Sequence, residues 1–184
     1  MWVDLTLAVT PDMRENARSR EPKAFDGHMG THYDVMKKTF PLDYLKRKGV
    51  VFDVSGIMDR DIDENDIDCS LIKENMFVGF YSGQIERYEY GSDEYFHSGP
   101  QLAKSLIELL VERKVSLIGL DFAGARRGSQ HPLTDQYCAD HDTFIIENMV
   151  NLKQLVDRKD VTIYCFPLNY TAMSGLPCRI TAEI

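Results

Sequence analysis

The chain has 184 residues, 43% of them hydrophobic, and a formal net charge of −8. That length supports a single domain spanning 1–184 with a sizeable buried core. The acidic balance argues against a nucleic-acid partner, which leaves a basic footprint, and no apolar run reaches the length of a membrane span.

Trp2 to Val9 is apolar and loosely alternating, which predicts a first strand ended by Thr10-Pro11-Asp12. Residues 12–26 are charged without a clear period and read as a long surface loop. The stretch His28-Met-Gly-Thr-His32-Tyr-Asp34 follows. Gly30, Thr31 and Tyr33 disfavour a helix there, so it reads as a strand or extended loop. Pro41 to Gly49 reads as a short helix with glycine at its C-terminus. Val50–Val54 and Met76–Tyr81 are apolar strands, separated by a solvated acidic turn at 59–64.

Residues 82–99 read as a second long loop, and Tyr81, Tyr88 and Tyr95 either line a pocket or pack against that loop. Ser98 is placed to cap a helix over Pro100–Lys114, where Leu102, Ala103, Leu106, Leu109 and Leu110 recur at helical spacing. Val115–Leu120 is a strand closed by Asp121, and it forms a βαβ unit with that helix and the Met76 strand. A Gly/Arg-rich loop at 122–131 leads to a short helix starting near Pro132 or Thr134. Thr143–Glu147 is a strand, Leu152–Arg158 a helical turn or two, and Val161–Phe166 and Cys178–Ile184 are the last strands. The alternation of strands and helices indicates an α/β fold. The four cysteines form no C-x-x-C pair, and the N-terminus lacks the pattern of a signal peptide. Free thiols and a cytoplasmic location are the expectation.

In an extended chain, side chains alternate between faces, so His28, His32 and Asp34 share one face. Two imidazoles and a carboxylate suit zinc or manganese. A second reading stays open, in which the two histidines are hydrogen-bonded polar residues on a half-buried strand.

This stretch closely resembles the H-x-G-T-H-x-D signature of the cyclase family, which includes bacterial kynurenine formamidases and isatin hydrolases. Further segments are similar in the same order: Asp4-Leu5-Thr6, the Gly119-Leu120-Asp121 strand end, Ile145-Ile-Glu147-Asn-Met-Val-Asn-Leu152, and Gly175-Leu-Pro-Cys-Arg179-Ile-Thr-Ala182. The resemblance implies a single α/β domain with a mixed, barrel-like sheet and flanking helices. It implies a two-metal Zn2+ or Mn2+ site and hydrolysis of a small amide, formamide or lactam, as in the arylformamidases of tryptophan catabolism. It also implies a small-molecule substrate and a homodimer. His28, His32, Asp34 and Glu147 carry over as metal ligands, with Asp34 expected to bridge from the first metal to the second.

Two positions depart from the pattern. The family's further histidine ligand, twelve residues before the glutamate, is Asp135 here, and His131 lies one helical turn earlier as a candidate substitute. The family's proton-transfer histidine is replaced by Lys38, and the proline before it by Met36. Lys38 could act as a base if burial depressed its pKa, or as a cation holding an oxyanion or a substrate carboxylate. Arg126 and Arg127 could clamp an acidic substrate. The competing expectation is a metal- or ligand-binding member of the family without formamidase turnover.

Overall fold

The computed structural model describes residues 1–13, 15 and 27–184. The surface loop expected over 12–26 lies largely outside the described residues. The strands are β1 (Trp2–Asp4), β2 (His32–Asp34), β3 (Lys46–Asp53), β4 (Phe77–Tyr81), β5 (Leu117–Leu120), β6 (Phe144–Glu147), β7 (Val161–Pro167) and β8 (Gly175–Glu183). The helices that bear on the site are α1 (Gln84–Arg87), α2 (Asp93–His97), α3 (Lys104–Glu112) and α4 (His131–Asp140).

All strands belong to one mixed sheet in the order β1-β8-β2-β6-β5-β4-β3-β7, and an added β7–β8 pairing closes it into a barrel. β3 to β6 are mutually parallel, and the remaining pairings are antiparallel. β8 is long enough to pair with β2 through 175–177 and with β1 through 181–183, while β7 runs along 178–183. β1 is therefore a short addition outside the closed ring. The α/β class and the barrel-like sheet match the sequence expectation.

Strand alternation gives two cores. Tyr33, Phe77, Leu117, Phe144 and Ile146 point into the barrel. Val78, Phe80, Ile118, Leu120 and Ile145 point outward and pack with Leu106 and Leu110 of α3 and Cys138 of α4. A parallel sheet covered on both faces needs such continuous apolar strands. The Phe77 ring fills the barrel beside three glycines, Gly79 on its own strand and Gly49 and Gly119 on the strands either side. A Cβ would stand 3.1 Å from it at Gly49 and 2.9 Å from it at Gly79, and at Gly119 would overlap it.

Gly49 explains the main secondary-structure correction. The helix expected over Pro41–Gly49 is only a 3-10 turn at Leu42–Leu45, and 46–49 begin β3 by pairing with 161–164 of β7. Gly49 is a seat for Phe77, not a helix cap. The loop expected over 82–99 holds α1 and α2, whose turns are closed locally and leave little periodicity to read. Ser98 is the C-cap of α2, and Ala103 precedes α3. The Met76-strand, helix and Val115-strand unit is present, with β4 and β5 parallel. The first strand ends at Asp4, and the last begins at Gly175. The four cysteines are free. Among the described residues, no helix is long and apolar enough to cross a membrane.

Candidate metal centre

β2 is only three residues long, but it lies between β6 and β8 and is buried throughout. Tyr33 enters the barrel, so His32 and Asp34 turn to the outer face, beneath α4. His32 is directly opposite Glu147 on β6, which places both side chains on that face. α4 supplies His131 and Asp135, one turn apart.

These residues form two groups that share Asp34. One is His28, His32 and Asp34; the other is Asp34, His131, Asp135 and Glu147. Within each group, the nitrogen and oxygen ligand atoms lie within 4.8 Å of one another. In the first group, His28 Nδ1 is 3.0 Å from Asp34 Oδ1 and 3.1 Å from His32 Nε2. In the second, His131 Nε2 is 2.9 Å from Glu147 Oε1 and 3.2 Å from Asp135 Oδ2. His32 Nε2 and Glu147 Oε2 are 3.7 Å apart and link the groups.

His28 does not reach this face by simple alternation. Residues 27–31 form a turn, with Gly27 at φ 89° and Gly30 at φ 69°. Only from His32 is the segment a strand, so the expectation of one continuous extended stretch is corrected. The turn is held against Gly175, whose Cβ, if present, would lie 2.9 Å from the Gly27 backbone and 3.0 Å from His28 Cδ2. Glycine is required there by the close approach of two backbones.

The electrostatics favour a cation. His32, Asp34, Asp135 and Glu147 are all buried, whereas His28 and His131 are half-buried. Burial alone would pull the His32 pKa down, but the Asp34 and Glu147 carboxylates outweigh it and hold it up at about 9. Burial would raise the Asp34 carboxyl, yet the His32 and His28 imidazoles hold it far below the usual carboxylate range. Both Asp34 oxygens are buried and, among the described residues, accept no aligned hydrogen bond, despite the close approach of His28. Buried carboxylates need a paired or coordinated cation. Imidazole nitrogens and carboxylate oxygens in this number fit a divalent ion of the zinc or manganese kind.

The outer nitrogens of His28 and His32 are also engaged. His28 Nε2 is 2.8 Å from Ser174 Oγ, and His32 Nδ1 is 2.9 Å from the Gly30 carbonyl. Such outer bonds fix which ring nitrogen faces inward. Gly124 leaves room for His131, whose Cε1 would be 2.9 Å from a Cβ at that position. Ser174, Gly124 and Asn148 carry no sequence pattern that marks them as site residues. The nearest signals were the glycine-rich loop and the Glu147-Asn148 pair.

The other candidates lie elsewhere. Lys38 is exposed on the turn after β2, with its N–H donating to the Val35 carbonyl. Among the described residues, its ammonium makes no hydrogen bond or ion pair. Arg126 is paired with Asp61 and donates to the Leu102 carbonyl at 2.8 Å, and Arg127 Nη2 donates to the Gly99 carbonyl at 2.7 Å. Both guanidinium groups tie loops together. Asp121 holds the turn that follows β4, accepting from Ser82 N, Ser82 Oγ and Gly83 N.

Several solved structures share the fold. An isatin hydrolase A from Labrenzia aggregata, bound to benzyl benzoate, superposes with a TM-score of 0.78 at 18% identity, over 99% of this chain and 93% of that one. Isatin hydrolase A from Ralstonia solanacearum gives a TM-score of 0.76 at 18% identity, over 99% and 91%. A protein described as a "potential metal-dependent hydrolase with cyclase activity" gives 0.74 at 22% identity, over 99% and 96%. No curated protein matches the chain at a significant level. Residues 3–125 match the Cyclase family model, described as "Putative cyclase", and this chain belongs to that family.

Proposed function

We propose that this protein is a metal-dependent hydrolase acting on a small amide, formamide or lactam. The observation that carries the reading is the Asp34 carboxylate, shared by two candidate ligand groups while both its oxygens are buried without an aligned donor among the described residues. His28, His32 and Asp34 would hold one divalent ion, and Asp34, His131, Asp135 and Glu147 a second. A bound zinc or manganese ion supplies a Lewis acid for a carbonyl oxygen and lowers the pKa of water toward about 7.

The chain's own residues prepare the site. The Gly30 carbonyl fixes His32 with Nε2 facing inward, and the Ser174 hydroxyl fixes His28 with Nδ1 facing inward. β2, β6 and α4 bury the carboxylates, which strengthens every charge interaction among them. The His131 position supplies a nitrogen ligand, while Asp135 adds a carboxylate where the family pattern has histidine. Likeness in fold to two isatin hydrolases supports a cyclic amide as one substrate to try.

A second reading, a metal-binding family member without turnover, is favoured by one observation. Lys38 stands where the family has its proton-transfer histidine, and it is exposed and unbonded to the cluster among the described residues.

The test begins with metal analysis of protein grown with zinc and manganese, followed by a hydrolysis panel of an aryl formamide, a lactam and a lactone. Turnover of the amides that is lost in His32→Ala is the expected result. Less than one ion per chain, with His32→Ala indistinguishable from wild type, overturns both readings. A fully loaded protein without turnover selects the second.

A further inference from the structure

Three hydrogen bonds meet at the Gly30 peptide. Its N–H donates to Tyr90 Oη at 2.9 Å. Its carbonyl accepts from His32 Nδ1 at 2.9 Å and from Asn148 Nδ2 at 2.9 Å. Asn148 then continues the chain, because its Oδ1 accepts from Tyr95 Oη at 2.7 Å. Asn148 and Tyr95 are buried, at 2% and 1% exposure.

The chemistry of the groups dictates the direction of each bond. A backbone carbonyl can only accept, so His32 must carry a hydrogen on Nδ1, and Asn148 must turn its NH2 toward Gly30. Asn148 Oδ1 is then left for Tyr95, whose hydroxyl must donate. With Nδ1 occupied, Nε2 is the His32 nitrogen that points into the cluster, 3.5 Å from Asp34 Oδ1. Asn148 also immediately follows Glu147 and stands at φ 56°, where asparagine is tolerated and glycine is unstrained.

We propose that Asn148 and Tyr95 are positioning residues that hold His32 in its ligand tautomer and direction through the Gly30 carbonyl. Neither is a ligand. Tyr95 lies on α2, so the excursion between β4 and β5 is coupled to metal affinity through a chain of hydrogen bonds. The inference rests on the metal-site reading above, which the same experiment checks separately.

The measurement is zinc affinity of metal-free protein, by competition with a chromophoric chelator, together with the thermal midpoint of each metal-free variant. Asn148→Gly keeps the backbone conformation and deletes the amide. It is expected to weaken zinc binding by ~10–100-fold. Tyr95→Phe removes one hydroxyl, a step further away, and is expected to weaken it by about 3–10-fold. Because both act through one carbonyl, adding Tyr95→Phe to Asn148→Gly should cost nothing further in affinity.

A merely structural role predicts lowered thermal midpoints with zinc affinity unchanged, and that outcome overturns the inference. Full additivity of the two affinity losses overturns it as well. Should Asn148→Gly fail to fold, Tyr95→Phe decides alone, and wild-type zinc affinity in that variant is a negative result. If wild type binds zinc and the variants match it, only this inference falls. If wild type binds none, the metal-site reading falls with it.

Discussion

His32 on β2 and Glu147 on β6 are directly paired across antiparallel strands, with Nε2 and Oε2 3.7 Å apart. This single register step joins a signature near the N-terminus to a strand more than a hundred residues later. A shift by one residue would turn His32 and Asp34 into the barrel and Tyr33 out toward α4.

The shared carboxylate makes the ligand variants unequal. His131→Ala removes a member of one group only, so the protein should keep the metal bound by His28, His32 and Asp34. Asp34→Asn removes a member of both and should lose nearly all bound metal. Elemental analysis after dialysis reads the difference. Equal metal content in the two variants would count against Asp34 as the common ligand.

Metal uptake should depend on pH through His32. Its pKa in the metal-free fold is about 9, so at pH 7 it is protonated, and a bound ion must displace that proton. Zinc affinity should therefore rise by up to about tenfold per pH unit below pH 9. Calorimetry in buffers of different ionisation heat should detect the released proton. The metal-free protein behaves oppositely. The raised pKa gives stability fully present below the free value of 6.5 and lost as pH rises through about 9.

Asp121 should leave a different signature. Burial pushes its carboxyl up to about 6 from 3.8, against the bonds from Ser82 and Gly83 that favour the ionised form. Its folded pKa is raised, so its stabilisation is complete below about pH 4 and lost as pH rises through about 6. The two-unit difference corresponds to roughly 3 kcal/mol. Urea unfolding of wild type and Asp121→Asn across pH 4–7 should differ by a pH-dependent amount of that order. A constant difference across the window would refute the assignment.

Gly119→Ala should destabilise the barrel. The new methyl would meet the Phe77 ring and stand 2.7 Å from Met149 Sδ. Overpacking of a filled core costs about 1–3 kcal/mol. Chemical denaturation measures the loss, and Phe77→Leu in the same chain should recover part of it by opening space.

Much of the site was legible before folding was considered. His28, His32, Asp34 and Glu147 lie in short motifs whose residue types are those of metal ligands, and His131 and Asp135 share a helical face by spacing alone. One segment misled. Lys46-Arg47-Lys48-Gly49 has the look of a helix end, yet its partners on β7 make it a strand. Lys38 and the Arg126-Arg127 pair stand out by their position in sequence; the fold leaves Lys38 exposed on its turn and engages the arginines with Asp61 and backbone carbonyls.

By itself, then, the sequence determined the donor atoms, the strand-rich α/β class and the family, because residue chemistry and local periodicity are properties of short stretches. Only the tertiary structure decided that His32 stands opposite Glu147, that the helix carrying His131 and Asp135 packs against Asp34, and that Asn148 reaches His32 through Gly30. Those relations depend on register between strands and on hydrogen bonds spanning up to 118 residues of chain. Long-range pairing of that kind leaves no trace in local spacing.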